Sequence, residues 1–338
     1  MSSHAHYHEI TADTPHEMGV ALGRAFGPAL QPFLSNLKDL PDAARDYLAA
    51  CFTLTRQRFP DYAAEIEGYA AGAKIPVEVL WQMLLEDDVL ALLQEKCTSL
   101  ATNGGRLIGH NEDWDADAAS RLFILRRNLA GKTLFELHYA GTPGGNAISI
   151  SSSGTLQMIN SQDATPLDTS VPRVPTNVIA RFLADSSDIH VAVARLKDIP
   201  RMGGYAHTII QAAPGGKGYL LELSQHAMTM REITQFPFVH ANHYVMDEML
   251  QFNQRPAECS ESSRQRYAAA AAGTVPHMLP EQVMRLLEDA SRGADNSLLN
   301  NRTLAGVVID LDSACAWIRL VSEPEKSWLK YSLDFLAG

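Results

Sequence analysis

Apolar positions along the first part of the chain recur at helical spacing, and near residue 97 the period changes to alternation. Thr14-Pro15 is a helix start, with a capping hydroxyl, a proline for the first turn and Glu17 three residues after the threonine. The pattern predicts a helix through Met18, Ala21, Leu22 and Ala25 toward Leu37. Gly19, Gly23 and Gly27 recur every four residues on one face, which predicts close backbone packing against another element. Further helices are expected over Asp42–Arg58 and Asp61–Ala73, with Phe59-Pro60 between them. Another begins at Ile75-Pro76 and carries Val79, Leu80, Met83, Leu84 and Leu90 as its apolar set. Ahead of all this, His4-Ala-His-Tyr-His8 alternates, as the opening of a strand or a solvated terminal segment does.

Beyond residue 97 the alternation predicts strands at Leu122–Leu129, Thr133–Tyr139, Asn146–Ser151 and Thr155–Asn160. Turns are expected at Ala130-Gly131, Thr142-Pro-Gly-Gly145 and Ser152-Ser-Gly154. Helical spacing returns near 175–185 and 187–198. Strands follow at 206–213, 218–224, 227–233 and 237–241, and helices near 246–252, 260–272 and 279–291. The chain closes on a strand pair at 304–311 and 315–321. Helices bracketing runs of antiparallel strands point to an α+β unit in which helices cover sheets. There is no repeat, low-complexity tract or long linker.

Composition narrows the function classes. The 338 residues are 46% hydrophobic and 20% charged, an ordinary globular balance with length for a large core. The net charge of −11 and the lack of a basic patch argue against a nucleic-acid partner. No apolar run is long enough for a membrane span, and the N-terminus lacks the apolar stretch of a secretory signal. Cys51, Cys97, Cys259 and Cys315 are scattered without metal-finger spacing, which suggests reduced thiols in a cytoplasmic setting.

Candidate chemistry concentrates between Cys97 and Asp115. Asn103-Gly104-Gly105 is a hairpin turn signal, because the central positions of tight hairpin turns want positive φ. A turn centred on Asn103-Gly104 sets Cys97 opposite His110, and one centred on Gly104-Gly105 sets it opposite Glu112. Either register brings a thiol to the polar cluster His110-Asn-Glu-Asp113, where local charges govern its reactivity. A buried, inert cysteine on a surface hairpin is the competing reading. His4 and His6, together with His240 and His243, also offer ligand spacings. They leave open a metal-dependent amidohydrolase, for which no third set of ligands is apparent.

The block Cys97-Thr-Ser, a Gly-rich turn, then Gly-His-Asn-Glu-Asp-Trp114 resembles the start of the mature catalytic chain in peptidase family C45. These are the acyl-coenzyme A:6-aminopenicillanic acid acyltransferases and their relatives, including β-alanyl-amine hydrolases. They are N-terminal nucleophile (Ntn) hydrolases, similar to choloylglycine hydrolases and penicillin V acylases. Phe59-Pro60, Glu65-Ile-Glu-Gly68 and Ala71-Gly72 upstream, and His240-Ala-Asn-His-Tyr244 downstream, extend the resemblance over most of the chain. It implies an αββα sandwich of two stacked, mainly antiparallel sheets covered by helices. It also implies that the precursor cuts its own Lys96–Cys97 bond, giving a helical N-terminal chain (1–96) and a catalytic chain (97–338) that stay together as one compact unit. The freed α-amine then serves as the base for the thiol. Small acyl amides are the implied substrates, by hydrolysis or by acyl transfer, with no cofactor. A non-catalytic, uncleaved ligand-binding scaffold and association into homo-oligomers both remain open.

Residue by residue, the resemblance assigns Asp113 to holding the amine and thiol, with Glu112 and Asp115 as rivals. Asn160 and Asn242 are assigned as oxyanion donors, and Arg264 as the arginine bordering the cysteine, with Arg266 competing. His110, Asn111 and Ser263 are candidates for support. Lys96 stands where many relatives have glycine, whose backbone freedom suits strained geometry at a scissile bond.

Overall fold

The structure, a computed structural model, describes residues 5–90, 96–162, 166–254, 256–323 and 327–336. Its centre is two sheets packed face to face. The first has eight strands in the order β1 (Tyr7–Ala12), β4 (Leu122–Leu129), β5 (Lys132–Tyr139), β6 (Ile148–Ser151), β7 (Thr155–Ser161), β8 (Tyr205–Gln211), β9 (Gly218–Leu223) and β10 (Met228–Ile233). The second has six, in the order β11 (Phe238–His240), β2 (Lys96–Thr102), β3 (Leu107–Asp113), β12 (Thr303–Asp310), β13 (Cys315–Leu320) and β14 (Leu329–Ser332). All ladders within the sheets are antiparallel except β1 on β4.

Alternating side chains from both sheets form the inner core, including Ile108, Ile124, Leu137, Ile150, Met158, Val307 and Ile318, all almost wholly buried. The outer face of the first sheet lies under α1 (Pro15–Leu34), α2 (Asp42–Arg58), α3 (Pro60–Ala73), α4 (Val77–Leu90), α5 (Thr176–Asp185) and α6 (Ile189–Leu196). The outer face of the second lies under α7 (Ala257–Gly273) and α8 (Pro280–Leu287), against Leu100, Val239 and Val308. This is the αββα sandwich expected from the sequence.

The N-terminal layer is built as its pattern predicted, with one correction. Thr14 caps α1 in a reciprocal box with Glu17, and Pro15 follows. The glycine face of α1 seats directly on α3. A Cβ on Gly19 would stand 2.0 Å from the Glu65 carbonyl oxygen, and one on Gly23 would stand 2.1 Å from that of Tyr69. Gly68 and Gly72 of α3 return the contact against His16 and Val20. The correction is that the segment before Cys97 is not helical throughout. Tyr7–Ala12 supplies the edge strand of the larger sheet, in register with Ile124–Leu129 of β4. The two strands are separated by the whole helical layer and the β2–β3 hairpin, so no local pattern announces the pairing.

Elsewhere the differences are local. Asp247–Phe252 is a 3-10 turn rather than an α-helix, and α8 stops at Leu287. Leu329–Ser332 adds an edge strand that its length and mixed polarity did not signal. The connection after Thr102 is a 3-10 loop rather than a two-residue turn. Asn103, Gly104 and Gly105 all take positive φ, at 54°, 66° and 83°. Of the described helices, none is long and apolar enough to cross a membrane.

The glycine seam gives a direct test. Gly19→Ala should lower the stability of the chain by roughly 1–3 kcal/mol in urea unfolding, because the added methyl forces two backbones apart. A variant as stable as the parent would show that the α1–α3 approach is looser than the structure has it.

Candidate active site

The hairpin register decides which groups meet the thiol. Lys96 pairs with Asp113, Cys97 with Glu112, Thr98 with Asn111 and Ser99 with His110. Of the two registers open in the sequence, this is the one that sets Cys97 opposite Glu112. Directly opposed residues share a face and successive residues alternate. Cys97, Ser99, His110 and Glu112 therefore point between the sheets, while Thr98, Asn111 and Asp113 point outward to the α7–α8 layer.

On the inner face the side chains form one hydrogen-bonded row. Cys97, 2% exposed, directs its Sγ to Glu112 Oε2 at 3.5 Å. Glu112 Oε2 also lies 2.9 Å from His110 Nε2, and Glu112 Oε1 accepts from the Tyr139 hydroxyl at 2.9 Å. His110 Nδ1 lies 3.0 Å from Ser99 Oγ, which donates to Asn160 Oδ1 across the sheet interface at 2.9 Å. Asn160 is fully buried, and its Nδ2 has no hydrogen-bond partner among the described residues. A buried amide donor without a partner costs free energy unless something else supplies an acceptor, and here it sits one sheet away from a thiol.

The main chain of Cys97 is held from the other side. Its nitrogen donates to Asn242 Oδ1 at 2.8 Å. Its carbonyl oxygen accepts from Arg266 Nη1 at 2.8 Å, and the same guanidinium nitrogen reaches Thr98 Oγ1 at 2.8 Å. Arg266 Nη2 donates to Asn242 Oδ1, also at 2.8 Å. Asn242 is fixed in turn by its Nδ2 on the Ser161 carbonyl (2.9 Å) and by its backbone N–H on Ser263 Oγ (2.8 Å). Ser263 also lies 2.7 Å from His243 Nδ1.

Several sequence expectations move under this geometry. The arginine at the cysteine is Arg266. Arg264 is exposed and meets Glu261 at 3.4 Å. Two residues along a helix turn the side chain by about 200°, so only one of the pair faces the sheet, and the buried face of α7 runs through Ser262, Ser263, Arg266, Ala269 and Ala270. The carboxylate at the thiol is Glu112, because Asp113 points to the opposite face. Asp113 Oδ2 accepts from Asn300 Nδ2 at 2.8 Å and stands 4.0 Å from Arg266 Nη1. Asp115 is bound to Arg302 at the surface. Asn242 presents its oxygen to Cys97 and one amide hydrogen to Ser161, whereas Asn160 Nδ2 has no hydrogen-bond partner among the described residues. Asn111 binds the Leu287 and Leu298 carbonyls and anchors the α8 layer. Tyr139 and Asn300 carry no motif, and Ser99, although part of the Cys97-Thr-Ser block, has no role assigned by the resemblance; only the folded registers bring them in.

The histidine-based metal site does not assemble. His4 lies outside the described residues. His6 faces the Leu122 carbonyl at the sheet edge. His240 faces Glu222, and His243 faces Ser263. Among the described residues, the one group of His, Cys, Asp and Glu close enough to share an ion is Cys97, His110 and Glu112, and their atoms already bond to one another.

Burial drives the Asp113 carboxyl up to about 6, while Arg266, Thr303 and Asn300 pull it down and Glu112 adds to the rise. Burial likewise lowers Arg266, against the opposing pull of Asp113 and Cys97.

Known proteins resemble this chain as follows. The family model described as acyl-coenzyme A:6-aminopenicillanic acid acyl-transferase matches residues 100–324, well over half of the chain. The β-alanyl-dopamine/carcinine hydrolase of Drosophila melanogaster is 25% identical over 219 residues, 56% of this chain and 56% of that protein. The chain thus spans little more than half the length of the curated relative it matches. Among solved structures, penicillin V acylase from Agrobacterium tumefaciens superposes with a TM-score of 0.45 at 11% identity, over 70% of this chain and 86% of that one. A mutant of conjugated bile acid hydrolase from Clostridium perfringens gives a TM-score of 0.42 at 9% identity, over 71% and 92%.

Two measurements check the geometry. Arg266→Ala should destabilise the chain by about 3–5 kcal/mol, since it strips buried acceptors of their donor and leaves Asp113 without its cation, whereas Arg264→Ala should stay within about 0.5 kcal/mol of the parent. Equal effects would refute this helix phase. The raised Asp113 carboxyl has a second consequence. The native chain holds this proton more tightly than the unfolded chain, whose value is near 3.8, so the stability it contributes is full below that value and lost as pH rises through about 6. Urea midpoints of a Cys97→Ala chain should show that fall, and added Asp113→Asn should flatten it. An unchanged slope would mean that another group titrates.

Proposed function

Because the chain belongs to the acyl-coenzyme A:6-aminopenicillanic acid acyl-transferase family, we propose that it is a self-processing N-terminal-cysteine amidohydrolase or acyltransferase acting on small acyl amides. The Lys96–Cys97 bond is split, and residues 97–338 then begin with the nucleophile. The observation that carries this reading is the hold on the Cys97 nitrogen. It sits 2.8 Å from Asn242 Oδ1, an oxygen locked by Arg266. A freed α-amine at that place stays oriented beside its own thiol. With a reference pKa near 7.7–8.0, an appreciable fraction of it is neutral at cellular pH and able to take the thiol proton.

The steps follow from the residues around it. The thiolate attacks the carbonyl carbon of the substrate amide. The oxyanion that develops takes the spare Nδ2–H of Asn160, a donor already in place and shielded from water, which is the arrangement that stabilises such charge most. The amine leaves with a proton from the α-ammonium, and a thioester on Cys97 remains. Water releases the acyl group in hydrolysis, and a second amine takes it in transfer. Hydrolysis is the better-supported outcome, because water is always present at high concentration and the curated relative is named a hydrolase. Asp113, across the ladder from Lys96, keeps Arg266 compensated as the cleaved end is remodelled. Lys96 opens β2, an extended position that any residue adopts, so glycine is not required there. The 1–96 piece stays docked through β1 on β4 and the ion pairs between Glu65 and the buried arginines of the larger sheet and α5.

Intact mass and N-terminal sequencing of purified protein test the proposal. Two pieces should appear, residues 1–96 and 97–338, the larger beginning Cys-Thr-Ser. Cys97→Ala should stay whole and turn over no amide, while Cys97→Ser should be cut yet lose most turnover. An unbroken wild-type chain that cleaves amides at full speed, or activity that survives Cys97→Ala, would end this reading.

A further inference from the structure

The base described above does not exist before the chain is cut. In the uncleaved protein the Cys97 nitrogen is an amide with no lone pair for a proton, and its N–H is already donated to Asn242 Oδ1. A free cysteine has a pKa near 8.5, so at neutral pH most of the thiol is protonated and a poor nucleophile. Some other group must therefore take that proton if the chain cuts itself.

We propose that Glu112 is the general base of self-cleavage, acting on the Cys97 thiol before the α-amine is released. This rests on the processing reading above. Glu112 Oε2 accepts from the thiol at 3.5 Å, whereas the two carboxylates that follow it in the motif, Asp113 and Asp115, are held by Asn300 and Arg302. The Tyr139 hydroxyl donates to Oε1, and His110 Nε2 sits on Oε2. The thiol and the phenol donate to this carboxylate, and the imidazole Nε2 stands against the same oxygen as the thiol. With Ser99 donating to Asn160, both ring nitrogens of His110 face acceptors, so the ring cannot swing away and Glu112 keeps its aim. The group is 2% exposed, and water does not compete for the proton.

The step balances without any co-reactant but water. The S–H proton passes to Glu112 Oε2 as sulfur attacks the Lys96 carbonyl carbon. The C–N bond to Cys97 breaks, and the proton held by Glu112 passes to the departing nitrogen. This leaves a thioester between Lys96 and the Cys97 sulfur, together with the free α-amine. Water then cleaves the thioester, giving the Lys96 carboxylate and the thiol. Glu112 ends the sequence ionised, and the new amine takes over its task. A carboxylate and an amine at one sulfur divide the work in time: the first makes the second.

The test is the rate at which freshly purified Glu112→Gln protein is cut, followed by intact mass across a range of pH beside the wild type. Glutamine keeps the shape and the Tyr139 contact but takes no proton. At neutral pH cutting should slow by about 10²–10⁴-fold, the usual worth of a positioned base. It should then climb about tenfold per pH unit as hydroxide ionises the thiol, while the wild type varies far less. A merely structural role predicts no such recovery. Cutting of the variant at the wild-type rate overturns the inference and leaves the processing reading intact. A wild type that stays whole overturns both. A variant whose thermal transition matches the wild type, yet which is uncut at every pH, also overturns it, since hydroxide replaces a missing base. Should Glu112→Gln fail to fold, Glu112→Asp decides: slowed cutting with a wild-type pH profile supports the assignment, and no cutting overturns it.

Discussion

The pairing of Cys97 with Glu112 across the β2–β3 ladder is the constraint from which the site follows. One residue of slip in an antiparallel ladder turns every side chain to the other face. In the observed register the thiol, Ser99, His110 and Glu112 share the dry interface between the sheets, where a hydrogen bond is stronger and an unpaired polar group more costly than in water. Asp113 and Asn111 are sent to the outer face, where they pin the α7–α8 layer through Arg266, Asn300 and the Leu287 and Leu298 carbonyls. Cys97 is thus gripped at its nitrogen and carbonyl from one side and faced by the Glu112 carboxylate from the other.

The rest of the fold supports that arrangement. Arg266, fully buried, donates to the Cys97 carbonyl, the Thr98 hydroxyl and the Asn242 amide oxygen. It is therefore placed by the packing of α7 on the second sheet as much as by its own bonds. The N-terminal layer is attached with comparable firmness to the first sheet. Besides the β1–β4 pairing, Glu65 of α3 is buried against Arg127 and Arg181, and those arginines also bind the Pro143 carbonyl. Charges buried in this way are costly to separate, because either partner alone would be left uncompensated. A segment held so tightly does not leave when one peptide bond behind it is broken, which is why a cut at Lys96–Cys97 is compatible with a single compact unit.

Much of this was legible in the residues because the relevant physics is local. Capping at Thr14, the four-residue glycine repeat, the change of period near Cys97 and the Asn-Gly-Gly turn each depend on a few neighbouring positions, and each matches an observed element. Cys97, Asn160 and Asn242 stood out through the motifs around them, and the fold brings all three together. In two other places the residue that meets Cys97 is a neighbour of the one assigned, for one reason. Arg264 against Arg266, and Asp113 against Glu112, are choices of face, and a motif match does not carry rotational phase about an axis.

The chain by itself thus determined most of the helices and strands, the layered α+β class and the stretch in which chemistry is concentrated, since propensity, capping and hydrophobic period act within a turn or a strand. Tertiary structure decided which carboxylate meets the thiol, which arginine holds the Cys97 carbonyl, and that Tyr139 and Ser99 take part. It also decided that Tyr7–Ala12 joins β4 as a parallel edge. Those outcomes depend on contacts between residues far apart in sequence, whose energies exist only once sheet register and helix rotation are fixed by burial.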